Sequence, residues 1–87
     1  MISKVTPSFW RALRALSNAD RRAARRAYRL FAVDPSHNSL RFKKLAGHAD
    51  LWSVRVTLSV RAVGARDGDT IVWVWIGSHN EFDTRFG

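Results

Sequence analysis

Residues 51–77 read LWSVRVTLSVRAVGARDGDTIVWVWIG, with SLRFKKLAG before them at 39–47 and SHNEFD after them at 78–83. In the first run, Trp52, Val54, Val56, Leu58 and Val60 share one parity, and Ser53, Arg55, Thr57, Ser59 and Arg61 share the other. That is the period-2 alternation of a half-buried strand, with one core face and one wet face. Two geometries satisfy it. A continuous strand projects Arg55 and Arg61 from its wet face, whereas a turn near Leu58-Ser59 places them on neighbouring strands. The next run, Val60 to Arg66, ends at Asp67-Gly68-Asp69, where Asp-Gly tolerates the positive φ of a tight hairpin turn. Thr70 to Ile76 is apolar on both parities and carries Trp73 and Trp75. It is predicted to be a central strand, covered on both faces or bordering a ligand surface.

The N-terminal third has helical chemistry. Thr6-Pro7 supplies an N-cap and a proline at the first helical position, and Phe9, Leu13 and Leu16 follow at helical spacing. Ser17 and Asp20 resemble a capping box for a second helix, with Asp in place of Glu. Its apolar stripe is Ala23, Ala27, Leu30 and Phe31, and it ends at Asp34-Pro35. Arg22, Arg25, Arg26 and Arg29 lie at helical offsets that make one cationic ridge. With a short strand at Ile2 to Val5, the order β-α-α-β-β-β predicts an α+β fold. The helical hairpin would pack on one face of a small antiparallel sheet, leaving Arg55 and Arg61 on the open face and the Ser39 to Gly47 segment along its rim.

The charge is concentrated in the hairpin. Residues 1–33 hold eight Lys/Arg against one acid, and residues 34–87 hold seven against six, within a net charge of +8. Twelve of the fifteen basic residues are arginine, which favours planar, bidentate contacts to phosphate or carboxylate. The expected partner is therefore an anion, with nucleic acid, ribosomal RNA, acidic protein and membrane surface all satisfying the charge alone. At 87 residues the expectation is one domain, residues 1–87, with a modest core. No cysteine is present, which excludes a disulfide framework and a thiolate metal site. No run has the length of a membrane span, and no secretion signal is apparent. A soluble cytoplasmic protein without membrane contact, metal or cofactor is expected.

Several motifs in order resemble the RelE/ParE toxin superfamily of bacterial toxin-antitoxin systems. They are Asp34-Pro35 leading to Ser39-Leu40-Arg41-Phe42-Lys43-Lys44-Leu45-x-Gly47, Leu51-Trp52-Ser53-Val54-Arg55-Val56, Arg61-Ala62, Gly68-Asp69-Thr70-Ile71, and Trp75-Ile76-Gly77-x-His79-x-x-Phe82-Asp83. The resemblance implies a toxin with a cognate antitoxin. RelE-like branches are ribosome-dependent, metal-independent endoribonucleases that cut messenger RNA and stop translation, and ParE-like branches poison DNA gyrase. By that resemblance Arg61 meets the attacked phosphate, Arg55 shares the role, and His79 is the proton-transfer group. Phe82 takes the place of a usual tyrosine, while Arg41, Lys43 and Lys44 position RNA beside ribosomal RNA held by Arg22, Arg25, Arg26 and Arg29. Val60 also stands where Tyr is usual, and Asn38 where Pro is usual.

Bland readings compete at each position. A strand arginine is commonly just solvated, His79 can cap the sheet or bond to Asp83, and Phe82 can be core. Trp52, Trp73 and Trp75 suit sheet core, Trp10 and Tyr28 suit helix packing, and His37 and His48 suit surface turns. The missing tyrosine hydroxyl keeps a second class open: a non-cleaving or attenuated relative that acts by binding gyrase, antitoxin or RNA.

Overall fold

The computed structural model describes residues 1–87. The elements are β1 (Ile2–Val5), α1 (Pro7–Arg14), α2 (Asn18–Val33), a 3-10 turn (Asn38–Leu40), β2 (Lys43–Lys44), β3 (Leu51–Arg55), β4 (Val60–Asp67), β5 (Thr70–Ser78) and α3 (His79–Phe86). The sheet order is β1-β5-β4-β3-β2, with β1 parallel to β5 and every other pair antiparallel. The expected α+β order is present. The sheet is mixed rather than wholly antiparallel because the helical hairpin returns the chain so that β5 runs alongside β1.

The helix starts follow from the sequence. The Thr6 hydroxyl accepts from Phe9 N at 3.2 Å and donates to the Trp73 carbonyl at 3.0 Å, so one side chain caps α1 and ties it to β5. Ser17 caps α2 by accepting from Asp20 N at 3.1 Å. Arg21 then reaches back to the Arg14 carbonyl at 3.2 Å and to that of Leu16, satisfying acceptors that α1 leaves open at its C-terminus.

Of the two geometries for the first alternating run, the turn is the one adopted. Val56 N donates to Val60 O at 2.9 Å, and the Thr57 hydroxyl accepts from Ser59 N at 3.1 Å. Leu58 therefore sits at a turn tip, 81% exposed, instead of in the core as its parity predicted. The hairpin at Gly68 is as expected, with φ +59°.

The last strand holds a register change. Val63 pairs with Trp75 and Gly64 with Trp73, so Val74 is an extra residue on β5. The bulge sends Trp73 and Trp75 to opposite faces although they share parity. Trp73 joins Phe31, Leu40, Val54, Val60, Ala62, Ile71 and Ile76 under the helices, while Trp75 joins Val63 and Leu45 on the other side. There the Trp75 ring lies across Gly77, and a Cβ added at Gly77 would meet it at 2.4 Å. Trp75 is buried, packed against Leu45, Val63 and the Phe86 ring. Gly77→Ala is expected to cost about 1–3 kcal/mol through overpacking, lowering Tm by roughly 4–8 °C per kcal/mol in a chain this size. A thermal melt checks it.

Two elements extend the predicted order. Lys43 and Lys44 form an edge strand on β3 rather than a loose rim, and SHNEFDTRF begins at a cap and becomes α3. Phe82 and Phe86 of α3 pack over Leu45, Val63 and Trp75. The face expected to be wet is consequently covered along part of its length. Ser53, assigned to that wet parity, is 2% exposed beside its register partner Val63. On the opposite face, Trp10 and Tyr28 are about half exposed rather than packed, and they rim an apolar cleft of about 400 Å³ between the helices and the sheet.

Candidate active site

The sheet end beside the β3–β4 turn gathers the charged residues. Arg55 and Arg61 are direct register partners on β3 and β4, so their side chains leave the same face as neighbours. Gly77 is Arg61's partner on β5, and two residues further on the chain enters α3 at His79. His79 N donates to Ser59 O at 2.7 Å, which pins the start of α3 to the turn before β4. The α3 start is fixed further by a capping box, in which Ser78 Oγ accepts from Glu81 N at 3.1 Å while the Glu81 carboxylate takes the Ser78 backbone N–H.

Arg61 has an incomplete set of partners. Its Nη1 donates to the Thr57 carbonyl at 2.9 Å, and no carboxylate lies within 4.0 Å of its guanidinium. Burial pushes its pKa below the usual arginine value, Arg55 pushes it further, Asp83 opposes the shift, and Arg41 adds to it. The cation is thus held with less solvation and with like charges nearby, which is a poor arrangement for an isolated protein and a good one for receiving an anion. It remains charged near neutrality.

His79 and Asp83 form the one contact within 4.0 Å between a basic side chain and a carboxylate, with Nε2 3.3 Å from Oδ2 at positions one helical turn apart. His79 Nδ1 is buried and has no hydrogen-bond partner. The Phe82 ring stacks beside the imidazole at 6.2 Å with an interplanar angle of 21°. Phe82 also touches the Leu45–Val63–Trp75 cluster, so its ring belongs to the core and to the site edge at once.

Arg55, Arg61, His79, Phe82 and Arg41 are therefore brought to one end of the sheet. Lys43 and Lys44 lie on its exposed edge strand. The α2 ridge of Arg22, Arg25, Arg26 and Arg29 is exposed as expected, but it stands on the helical side. Only Arg26 approaches the cluster, sharing a depression of about 280 Å³ with Arg55 and Leu58. Sequence reading named Asp83 only as an alternative bonding partner for His79, a contact the structure contains, and assigned no role to Arg66. For Asp83 a signal existed, because Ser78-x-x-Glu81 marks a helix start, and a helix puts residues 79 and 83 on one face. Arg66 was invisible, since its setting depends on Phe42 and Trp52 converging from separate segments.

The family model of the ParE-like toxin domain matches residues 19–84, which is most of the chain. The chain belongs to the ParE-like toxin domain family. Among solved structures it is similar to the RelB-RelE antitoxin-toxin complex from Methanococcus jannaschii, with TM-score 0.77, 16% identity, and 97% and 99% of the two chains covered. It is also similar to YafQ from Escherichia coli, with TM-score 0.74, 8% identity, and 92% and 94% covered. The RelBE2 toxin-antitoxin complex from Mycobacterium tuberculosis follows, with TM-score 0.65, 24% identity, and 90% and 96% covered. No curated protein matches by sequence. The resemblance to RelE/ParE toxins and the α+β architecture it implied are both upheld. This toxin domain has no group of three or more His, Cys, Asp or Glu placed to hold a metal ion, and no helix long and apolar enough to cross a membrane.

Proposed function

We propose that this toxin domain is a ribosome-dependent endoribonuclease that cuts messenger RNA and arrests translation. The observation that carries the reading is the register pairing of two uncompensated arginines, Arg55 and Arg61, beside a histidine anchored by backbone to the same turn. In this reaction the ribose 2′-oxygen attacks the adjacent phosphorus, the P–O5′ bond breaks, and a 2′,3′-cyclic phosphate and a 5′-hydroxyl result. The 2′-hydroxyl loses a proton and the departing 5′-oxygen gains one. Arg61 and Arg55 face the charge that builds on the pentavalent phosphorus, where preorganised cations act most strongly. His79 is the proton-transfer group, with Asp83 holding its Nε2 at 3.3 Å. Primer extension on a reporter message translated in vitro tests the reading: ribosome-dependent breaks supporting it, and intact message with arrested gyrase favouring the binding-only relative instead.

A cognate antitoxin is the second partner. Two of the similar structures cited above are antitoxin complexes. The apolar cleft rimmed by Trp10, Tyr28, Arg25 and Arg29 suits an amphipathic segment with acidic flanks.

The absent tyrosine hydroxyl gives a direct test of site and core. The Phe82 ring is partly exposed and stacks beside His79, so Phe82→Tyr is expected to fold and to cut ribosome-bound message faster, with the gain lost when His79→Ala is added. A drop in stability of about 1–3 kcal/mol without faster cutting would mean that the new hydroxyl is buried unpaired, placing this ring edge in the core.

A further inference from the structure

The β2 edge of the sheet carries a second basic depression, of about 720 Å³, bounded by His37, Asn38, Arg41, Lys43, Arg66 and Asp69. Arg66 gives it an unusual floor. Its Cζ lies 4.5 Å from the Trp52 ring centroid and 5.6 Å from that of Phe42, and these two rings are themselves 4.8 Å apart. Arg66 Nε donates to the Gly68 carbonyl at 3.0 Å, which fixes the plane of the guanidinium and leaves its Nη groups without a protein acceptor. No carboxylate lies within 4.0 Å of Arg41, Lys43 or Arg66, even though Asp69 is on the rim. Arg41 is the link between the two sites, because it lines this depression and its charge also reaches Arg61. A left-handed backbone at Arg41, φ +46°, turns the chain there. Arg61 and Arg66 are five residues apart on β4, roughly 17 Å along the strand. They leave opposite faces of the sheet, Arg66 on the side of Trp52 and Phe42, so an RNA strand joining the two sites has to cross the β2 edge.

We propose that this depression is a second nucleotide subsite, in which a base stacks on the outer face of Arg66 and its phosphate meets Arg41 and Lys43. The inference rests on the RNA-cleaving reading and extends it: single-stranded RNA leaves the Arg55–Arg61 site over the β2 edge and is gripped again at Arg66. A guanidinium plane backed by aromatic rings is a recognised platform for an unstacked base, and its free Nη fork suits a phosphate oxygen pair. Arg66 has no part in the cleavage chemistry.

The test is equilibrium binding of a labelled single-stranded oligouridylate to the full chain across a salt series. Arg66→Gln is expected to weaken binding by about tenfold and to make the slope of log K against log salt shallower by about 0.7. Arg66→Lys should keep the slope and lose affinity, because it retains charge without the plane. Asp69→Asn, which removes the one acid on the rim without touching the platform, should bind more tightly even if Arg66→Gln folds poorly. Wild-type affinity and slope in Arg66→Gln, unchanged affinity in Asp69→Asn, or no oligouridylate binding by the wild type would each overturn the subsite. So would displacement of the RNA by oligoglutamate of equal charge, which would assign the depression to an acidic protein. The cleavage reading fails separately, through the translation assay.

Discussion

Arg61→Ala is expected to abolish translation arrest and to leave the fold in place. The side chain stands at the wet end of β4, and its partners are the Thr57 carbonyl at 2.9 Å and the Val60 carbonyl at 3.4 Å, turn acceptors that water can satisfy. Its removal also takes away a cation held beside Arg55 and Arg41 under partial burial, so Tm should hold or rise slightly. The loss falls on the reaction. A preorganised charge facing the developing phosphorane is commonly worth on the order of 10²–10³ in rate. Primer extension on ribosome-bound message measures the cut, and circular dichroism reports the fold. Wild-type cutting by a folded Arg61→Ala protein would discard the mechanism.

Changing Arg22, Arg25, Arg26 and Arg29 together to glutamine is expected to weaken ribosome binding and flatten its salt dependence. All four are exposed, and none has a carboxylate within 4.0 Å, so no internal pairing accounts for them. Four phosphate contacts would contribute roughly 3 to the slope of log K against log salt. The same change removes like-charge repulsion along α2, which should stabilise the helix modestly. Because the ridge stands on the helical side of the sheet, on the proposed reading it would grip a separate RNA surface while Arg61 would engage the message. Binding unchanged across the salt series would return the ridge to an ordinary solvated face.

Local signals were enough for most of the architecture. Thr6-Pro7 and Ser17 set helix starts through hydrogen bonds made within three residues, and Asp67-Gly68 set a hairpin through the φ that glycine tolerates. The alternation from Trp52 to Arg61 marked a core face and a wet face, yet it could not choose between a strand and a turn. Both keep the same parity. The turn was decided by the pairing of Val56 N with Val60 O, and that choice made Arg55 and Arg61 partners across two strands.

The site itself depended more on tertiary structure. Basic residues, a histidine after the last strand and the family motifs pointed to Arg55, Arg61 and His79, and the fold brings these three together. The bulge at Val74 could not be read from parity, because Trp73 and Trp75 look equivalent in the chain and separate only when register is set against β4. Once it sends Trp75 outward, Phe82 and Phe86 gain a surface to cover, α3 packs there, and Ser53 is buried. Arg66 shows the same limit. The sequence by itself determined its charge and its place near a hairpin, but the Phe42–Trp52 platform exists only because β2 and β3 pair, bringing side chains ten residues apart within stacking distance. Hydrogen bonds within a few residues determine where elements begin and turn. Contacts between distant strands decide which faces are covered, and so which charges remain free to meet a phosphate.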